Sequence, residues 1–208
     1  MFALVNKSDN SITKSYSGST GITIGENQYP QTIFTLWSEA ERNAIDIYTI
    51  EINNSNFKNE EWYINTNITY AFDGSKVTGS YGDATAKAHA DTKWTQSEID
   101  AGKAPEGADT DTVKDEGLKT VLIRQVKSQA QNELNKTDWY VVRKAEEDIA
   151  IPSTITTHRK AVRTKQAEME TAITNASDTP ALETLYTYTK QEDGSVTRPL
   201  GELPTLED

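Results

Sequence analysis

Apolar residues in the first eighty positions fall in short runs that alternate with polar ones or stop at turn-forming residues. Residues 2–5 are one such run, closed by the polar stretch 6–10, and residues 12–16 resume with partial alternation before Gly18 and Gly21. Two short apolar segments around a polar turn predict a β-hairpin. Ile22 and Ile24 predict another short strand ahead of a turn at Tyr29 and Pro30. Ser38 stands three residues before Glu41, the spacing at which a Ser hydroxyl and a Glu carboxylate each satisfy an orphan amide at a helix start. A short helix is expected from about residue 39 to 45. Residues 47–52 read as extended, and the Asn-rich stretch 53–58 breaks them. A second hairpin is expected, with 62–64 and 69–72 in one arm and 76–81 in the other. Asp73 and Gly74 join the arms, a dipeptide suited to the positive φ of a tight turn.

The period changes further along. Residues 82–111 are mostly Ala, Asp, Gly, Lys and Thr, interrupted by Trp94 and by a second box-like helix start at Thr95 and Glu98, and they read as a linker with a helical turn. Leu118, Val121, Leu122, Val126, Ala130 and Leu134 recur every three or four residues, which predicts a helix over about 112–135 with one buried face. Residues 135–138 favour local side-chain bonds and should end it, and 139–142 are β-favouring. A second helix is expected after Pro152, with Ser153 as its cap and Ile155, Val162, Met169 and Ile173 on one face. Two such helices joined by a folded turn make an antiparallel hairpin. Residues 185–190 are a strand candidate, followed by a turn at Asp193 and Gly194 and by Val196. This arm is expected to pair with the N-terminal sheet or with another chain.

The resulting expectation is an α+β protein in four parts: a sheet-rich module over 1–82 with one short helix, a polar linker over 83–111, a helical hairpin over 112–178, and an acidic C-terminal β arm over 179–208. Charge follows the same division. The chain has 32 acidic and 21 basic side chains, net −11, with residues 1–110 net −7, residues 111–180 balanced and residues 181–208 net −4. Balance in an Ala-, Gln-, Lys- and Glu-rich stretch suits helix. The net charge disfavours nucleic acid and anionic membrane as partners, since both are polyanions bound through clustered Lys and Arg. A hydrophobic content of 35% implies a thin core, hence separate small cores or a partner that completes them.

Chemistry is hard to place on this chain. Without cysteine there is no disulfide, thiol nucleophile or thiolate metal site. The two histidines, His89 and His158, lack a second ligand-type His at metal or triad spacing and read as exposed or salt-bridged. The carboxylates of Glu60 and Glu61 and of residues 146–148 are ordinary in so acidic a protein. No glycine cluster opens a helix after a strand in the manner of a phosphate loop. No catalytic residue, cofactor or metal is expected, and no apolar run reaches the length of a membrane span. The candidate sites are contact residues. Asp138 and Trp139 form the most distinctive dipeptide, and Trp139 reads first as a core residue pinning the hairpin turn and second as a docking residue. Trp37 and Trp62 read as core, and Trp94, in polar surroundings, as an exposed contact. Arg159 and Arg163, one turn apart, are expected to meet acidic groups of a partner, of another copy, or of residues 146–148.

Residues 123–163 resemble the small tail assembly chaperone domain of tailed bacteriophages. The resemblance is carried by a helix with spaced basic residues Arg124 and Lys127, by Leu134, and by Thr137, Asp138 and Trp139, followed after a loop by a second helix with His158, Arg159 and Arg163. That family has a Tyr where His158 stands and a preceding Trp, for which Ile155 is the nearest large apolar residue. The N-terminal module, with Tyr29, Pro30, residues 33–37 and the Glu41 helix, is similar to the leading domain of marine phage tail-associated proteins. The resemblance implies a virion tail location, the host cytoplasm during assembly, and other tail proteins of a fibre or baseplate as partners, with a homo-oligomer also open. Three roles are thereby expected: a structural tail protein, a transient assembly chaperone absent from the mature virion, or a tail-associated hydrolase.

Overall fold

A computed structural model describes residues 1–206. It is an α+β chain that divides into two compact units, residues 1–85 and 86–208.

The first unit is built on strands β1 (Phe2–Asn6), β2 (Ser11–Tyr16), β3 (Ile22–Ile24), β4 (Asn27–Tyr29), β5 (Ile47–Asn53), β6 (Tyr63–Ile64), β7 (Thr69–Phe72) and β8 (Val77–Ser80), with helix α1 (Glu39–Ala44) between β4 and β5. Five strands form one sheet in the order β2-β1-β5-β8-β7. All neighbours are antiparallel except β5 and β8, whose parallel pairing is made possible by the long crossover between them. The outer strands β2 and β7 approach each other, so the sheet curls towards closure. Alternation along β1 then serves two cores. Ala3 and Val5 join Tyr48, Ile50, Phe72 and Val77 inside the curl. Phe2 and Leu4 face the opposite way, onto Ile22, Ile33, Phe34 and Ile47 under the segment that carries β3, β4 and α1.

The first expected hairpin forms, the second forms from 69–72 and 77–80 with Tyr63–Ile64 of its expected arm left outside the sheet, and the Ser38–Glu41 capping box starts α1 as its spacing predicts. Trp62 is buried, as expected, and Trp37 is half-buried, its ring edge-on to Tyr29 at 6.1 Å. The β7–β8 turn shows how a short polar residue replaces packing. Gly74 takes φ +97°, and the Asp73 carboxylate accepts hydrogen bonds from the Ser75 and Lys76 amides and the Ser75 hydroxyl at 2.7 to 2.9 Å.

Most of the stretch 83–111, expected as a polar linker with a helical turn, is built into the second unit, and the helical turn forms where its capping box predicts. After β9 (Thr85–Ala86) at the junction of the units, β10 (Thr92–Lys93) pairs with β11 (Val113–Asp115), and α2 (Gln96–Asp100) lies between them with the Thr95–Glu98 capping box. Helix α3 (Leu118–Asn135) starts six residues later than expected, because Val113–Asp115 is taken up by that strand pair. Its first turn is held by residues distant in sequence: the Leu118 and Lys119 amides donate to the Ala88 and His89 carbonyls, and the Asp91 carboxylate accepts from the Gly117 amide and the Thr120 hydroxyl. A Cβ at Gly117 would stand 2.2 Å from the Ala90 carbonyl carbon, so only glycine fits.

Helices α4 (Asp138–Glu147), α5 (Ser153–Asn175) and α6 (Thr179–Tyr186) follow. Helix α5 packs antiparallel to α3: Lys119 reaches the Thr174 carbonyl, Lys127 pairs with Glu170, and Leu134 meets Arg159, so the contacts run in opposite directions. Every apolar residue expected on the α5 face, Ile155, Val162, Met169 and Ile173, is buried. Ser153 makes no capping hydrogen bond, however; Pro152 holds the N-cap position. The expected strand at 185–190 is shortened because Leu185 and Tyr186 end α6, which is capped by the Asp178 side chain and has Pro180 in its first turn. Only Thr189–Lys190 (β12) is extended, and it pairs with Val196–Thr197 (β13) of its own arm. The arm is therefore closed locally, and its Leu203 packs on Ala130, Leu134 and Val162. The last two residues of the expected arm, 207 and 208, lie outside the described residues.

The Asp73 turn has a pH signature. The hydrogen bonds from Lys76 and Ser75 to its carboxylate lower the pKa from 3.8 to about 2. The folded form thus favours the ionised group, and its contribution is complete above the ordinary carboxylate value and lost as pH falls towards about 2. Thermal unfolding of Asp73→Ala against the parent should show a lower melting temperature at pH 6 and a gap that narrows between pH 4 and 2. A gap independent of pH contradicts this.

Candidate functional site

Most of the residues that carried the resemblance lie where α3, α4 and α5 meet, whereas Arg124 and Lys127 stand further back on α3 and pair with Glu116 and Glu170. Helix α3 ends at Asn135, and a single turn through Lys136 and Thr137 leads into α4. The Leu134 carbonyl in that turn already accepts from the Thr137 amide. Arg159 of α5 adds a further donor there: its Nη1 lies 2.8 Å from the Leu134 carbonyl oxygen, 2.7 Å from the Thr137 hydroxyl and 2.8 Å from the Asp138 carboxylate. Thr137 is itself buried and donates its hydroxyl to the Leu134 carbonyl at 3.0 Å. Arg159 is 9% exposed, so its charge is engaged within the chain and is not presented at the surface. Among the three alternatives, the internal one applies to Arg159, although its carboxylate is Asp138 rather than residues 146–148.

Arg163, one turn on, is exposed, and its guanidinium donates to the Arg159 carbonyl at 3.4 Å. Both arginines line a groove of about 440 Å³ between α4 and α5, together with Val141, Ile151, Thr156, Lys160 and Thr164.

Trp139 corrects the first expectation made for it. The residues expected to be extended, 139–142, are the start of α4, and Trp139 is 51% exposed rather than in the core. Its ring lies 3.8 Å from that of Tyr140, and the Arg143 guanidinium sits over both, 4.7 Å from the first centroid and 5.3 Å from the second. No residue of α4 is buried, and Val141, Val142 and, just beyond the helix, Ile149 are exposed as well. Sequence reasoning missed this row because it assigned the valines to a strand. The signal was present in the spacing of Asp138, Val141, Val142 and Ala145, which suits one helical side.

Trp94 lies apart from this site. It is half-buried, its amide donates to the Thr112 carbonyl, and the Lys114 ammonium stands 5.1 Å over its ring, so it closes the β10–β11 lobe and is not an open contact. Lys114 also grips Glu98 at 2.5 Å, and that ion pair, with the Thr95 bonds, lowers the Glu98 pKa to about 2.

His158 differs from the expected exposed or salt-bridged histidine. It is 8% exposed, beside Arg159 on the buried side of α5, and its Nε2 has no hydrogen-bond partner. Among the described residues no group of three His, Asp or Glu side chains could hold a metal ion, and no helix is long and apolar enough to cross a membrane.

No protein-family model matches the chain, and no curated protein or solved structure matches it significantly.

The contrast between Arg159 and Trp139 is measurable. Arg159→Met removes the hydrogen bonds to the Leu134 carbonyl and the buried Thr137 hydroxyl and the ion pair with Asp138, and should cost about 3 kcal/mol of stability. Trp139→Ala removes a half-exposed ring and should cost about 1 kcal/mol or less. Urea denaturation of both variants checks the order; a larger loss at Trp139 would contradict the assignment.

Proposed function

We propose that the chain is a non-enzymatic tail-associated structural protein of a bacteriophage, set at a fibre or baseplate junction and acting through protein–protein contacts. The phage context rests on the resemblance of residues 123–163. The contact role rests on one observation above the others: α4 is ten residues long, buries none of them, and leaves Trp139, Val141 and Val142 in water beside Ile149. A helix this short gains little from propensity alone and is stabilised chiefly by packing. Its exposed apolar area becomes favourable only when covered, at roughly 25 cal/mol per Å². Exposed tryptophan with a stacked arginine is also the side-chain chemistry in which interface binding energy concentrates.

Quantitative mass spectrometry of purified virions tests the assignment. A fixed copy number per particle is expected, and it should fall in phage carrying Trp139→Ala with Val142→Ser while the soluble protein keeps its melting temperature. Absence from particles, with presence in infected-cell lysate, would contradict the structural role and favour a transient chaperone.

A further inference from the structure

We propose that the groove between α4 and α5 takes an acidic peptide segment of a partner protein, seated by an apolar anchor. The inference deepens the contact-protein reading above and rests on it for the partner being a protein.

The groove has two walls of different character. Val141, 42% exposed, and Ile151 supply an apolar side, while Arg159, Lys160 and Arg163 are its only charged lining residues. A lining with cations and no carboxylate is unusual for a chain of net charge −11. The positive charge is not all cancelled internally. Arg159 is matched by Asp138. Arg163 has the Arg159 carbonyl as its contact, and no carboxylate pairs with Arg163 or Lys160 among the described residues. These two cations stand at the groove edge, exposed, three residues apart on α5, where both reach the same side of the helix.

The neighbouring depression on α5 makes the comparison. It is larger, about 660 Å³, but holds Glu170, which already pairs with Lys127. Charge complementarity therefore singles out the α4–α5 groove for an anion. The apolar wall then selects among anions. A volume of about 440 Å³ accommodates a large aliphatic or aromatic side chain with its flanking backbone, and Val141 and Ile151 would desolvate it. A nucleic acid strand would satisfy the cations but not that wall.

Arg163 is the residue suited to clamp a carboxylate, because its planar fork can engage both oxygens, whereas Lys160 contributes a point charge. Two exposed cations without a carboxylate partner among the described residues can be reversed without unfolding the chain, which makes the idea testable.

The probe is a fluorescein-labelled peptide of three Leu-Glu-Glu repeats, titrated with the full chain and read by fluorescence anisotropy. Binding is expected, weakening with added salt, and weakening by about tenfold or more in Lys160→Glu/Arg163→Glu and in Val141→Asp, with circular dichroism melting unchanged. Peptides of Leu-Lys-Lys or Ser-Glu-Glu repeats should bind at least about tenfold more weakly, the first for want of charge complementarity and the second for want of an anchor. No binding of the Leu-Glu-Glu probe, equal binding of either control peptide, binding indifferent to the charge reversal, or tighter binding of an oligothymidylate would each overturn the proposal. The outcome is separable from the tail assignment, because the titration uses the isolated chain: a groove that binds as stated in a protein missing from virions keeps the acidic-peptide site and loses the tail role.

Discussion

The second unit depends on one buried guanidinium. A charged group taken out of water is tolerated only when it finds partners, and Arg159 finds a carbonyl, a hydroxyl and a carboxylate all supplied by the five residues from Leu134 to Asp138. Those residues span the end of α3 and the start of α4, so one side chain of α5 fixes both elements. The hydrophobic contacts of Ala130, Leu134 and Val162 lie one to two turns away and need that register to interdigitate.

This fastener also explains why α4 is free. Its first residue is tied to Arg159 through Asp138, while Trp139, Val141 and Val142 further along stay exposed. A helix anchored at one end and bare along its length is held in place without being part of the core. It can then present apolar side chains on a fixed scaffold, at little ordering cost when a partner arrives. Charge is distributed to match: the outer groove keeps unmatched cations while most of the chain is acidic.

Local signals in the sequence were reliable where the interactions are themselves local. The two capping boxes at Ser38 and Thr95, the Asp73–Gly74 turn and the apolar stripe of α5 all follow from residues within a few positions of one another. Features set by distant residues were not legible. Residues 139–142 look β-favouring, and the Thr137–Asp138 contact with Arg159, more than twenty positions away, overrides that preference. The polar stretch after residue 85 lacks apolar content, yet its Ala88 and His89 carbonyls are claimed by α3 through backbone bonds that leave no side-chain signature. Arg159 itself read as a surface cation because charge is a poor guide to burial when the partners are backbone oxygens.

Residue-resolved amide hydrogen exchange on Arg159→Met, compared with the parent, addresses this dependence directly. If Arg159 fixes α4, the amides of Asp138–Glu147 should lose their protection while the central amides of α3 and the strands of the first unit keep theirs. Protection of α4 unchanged in the variant would show that its position does not depend on the guanidinium, and would contradict the account.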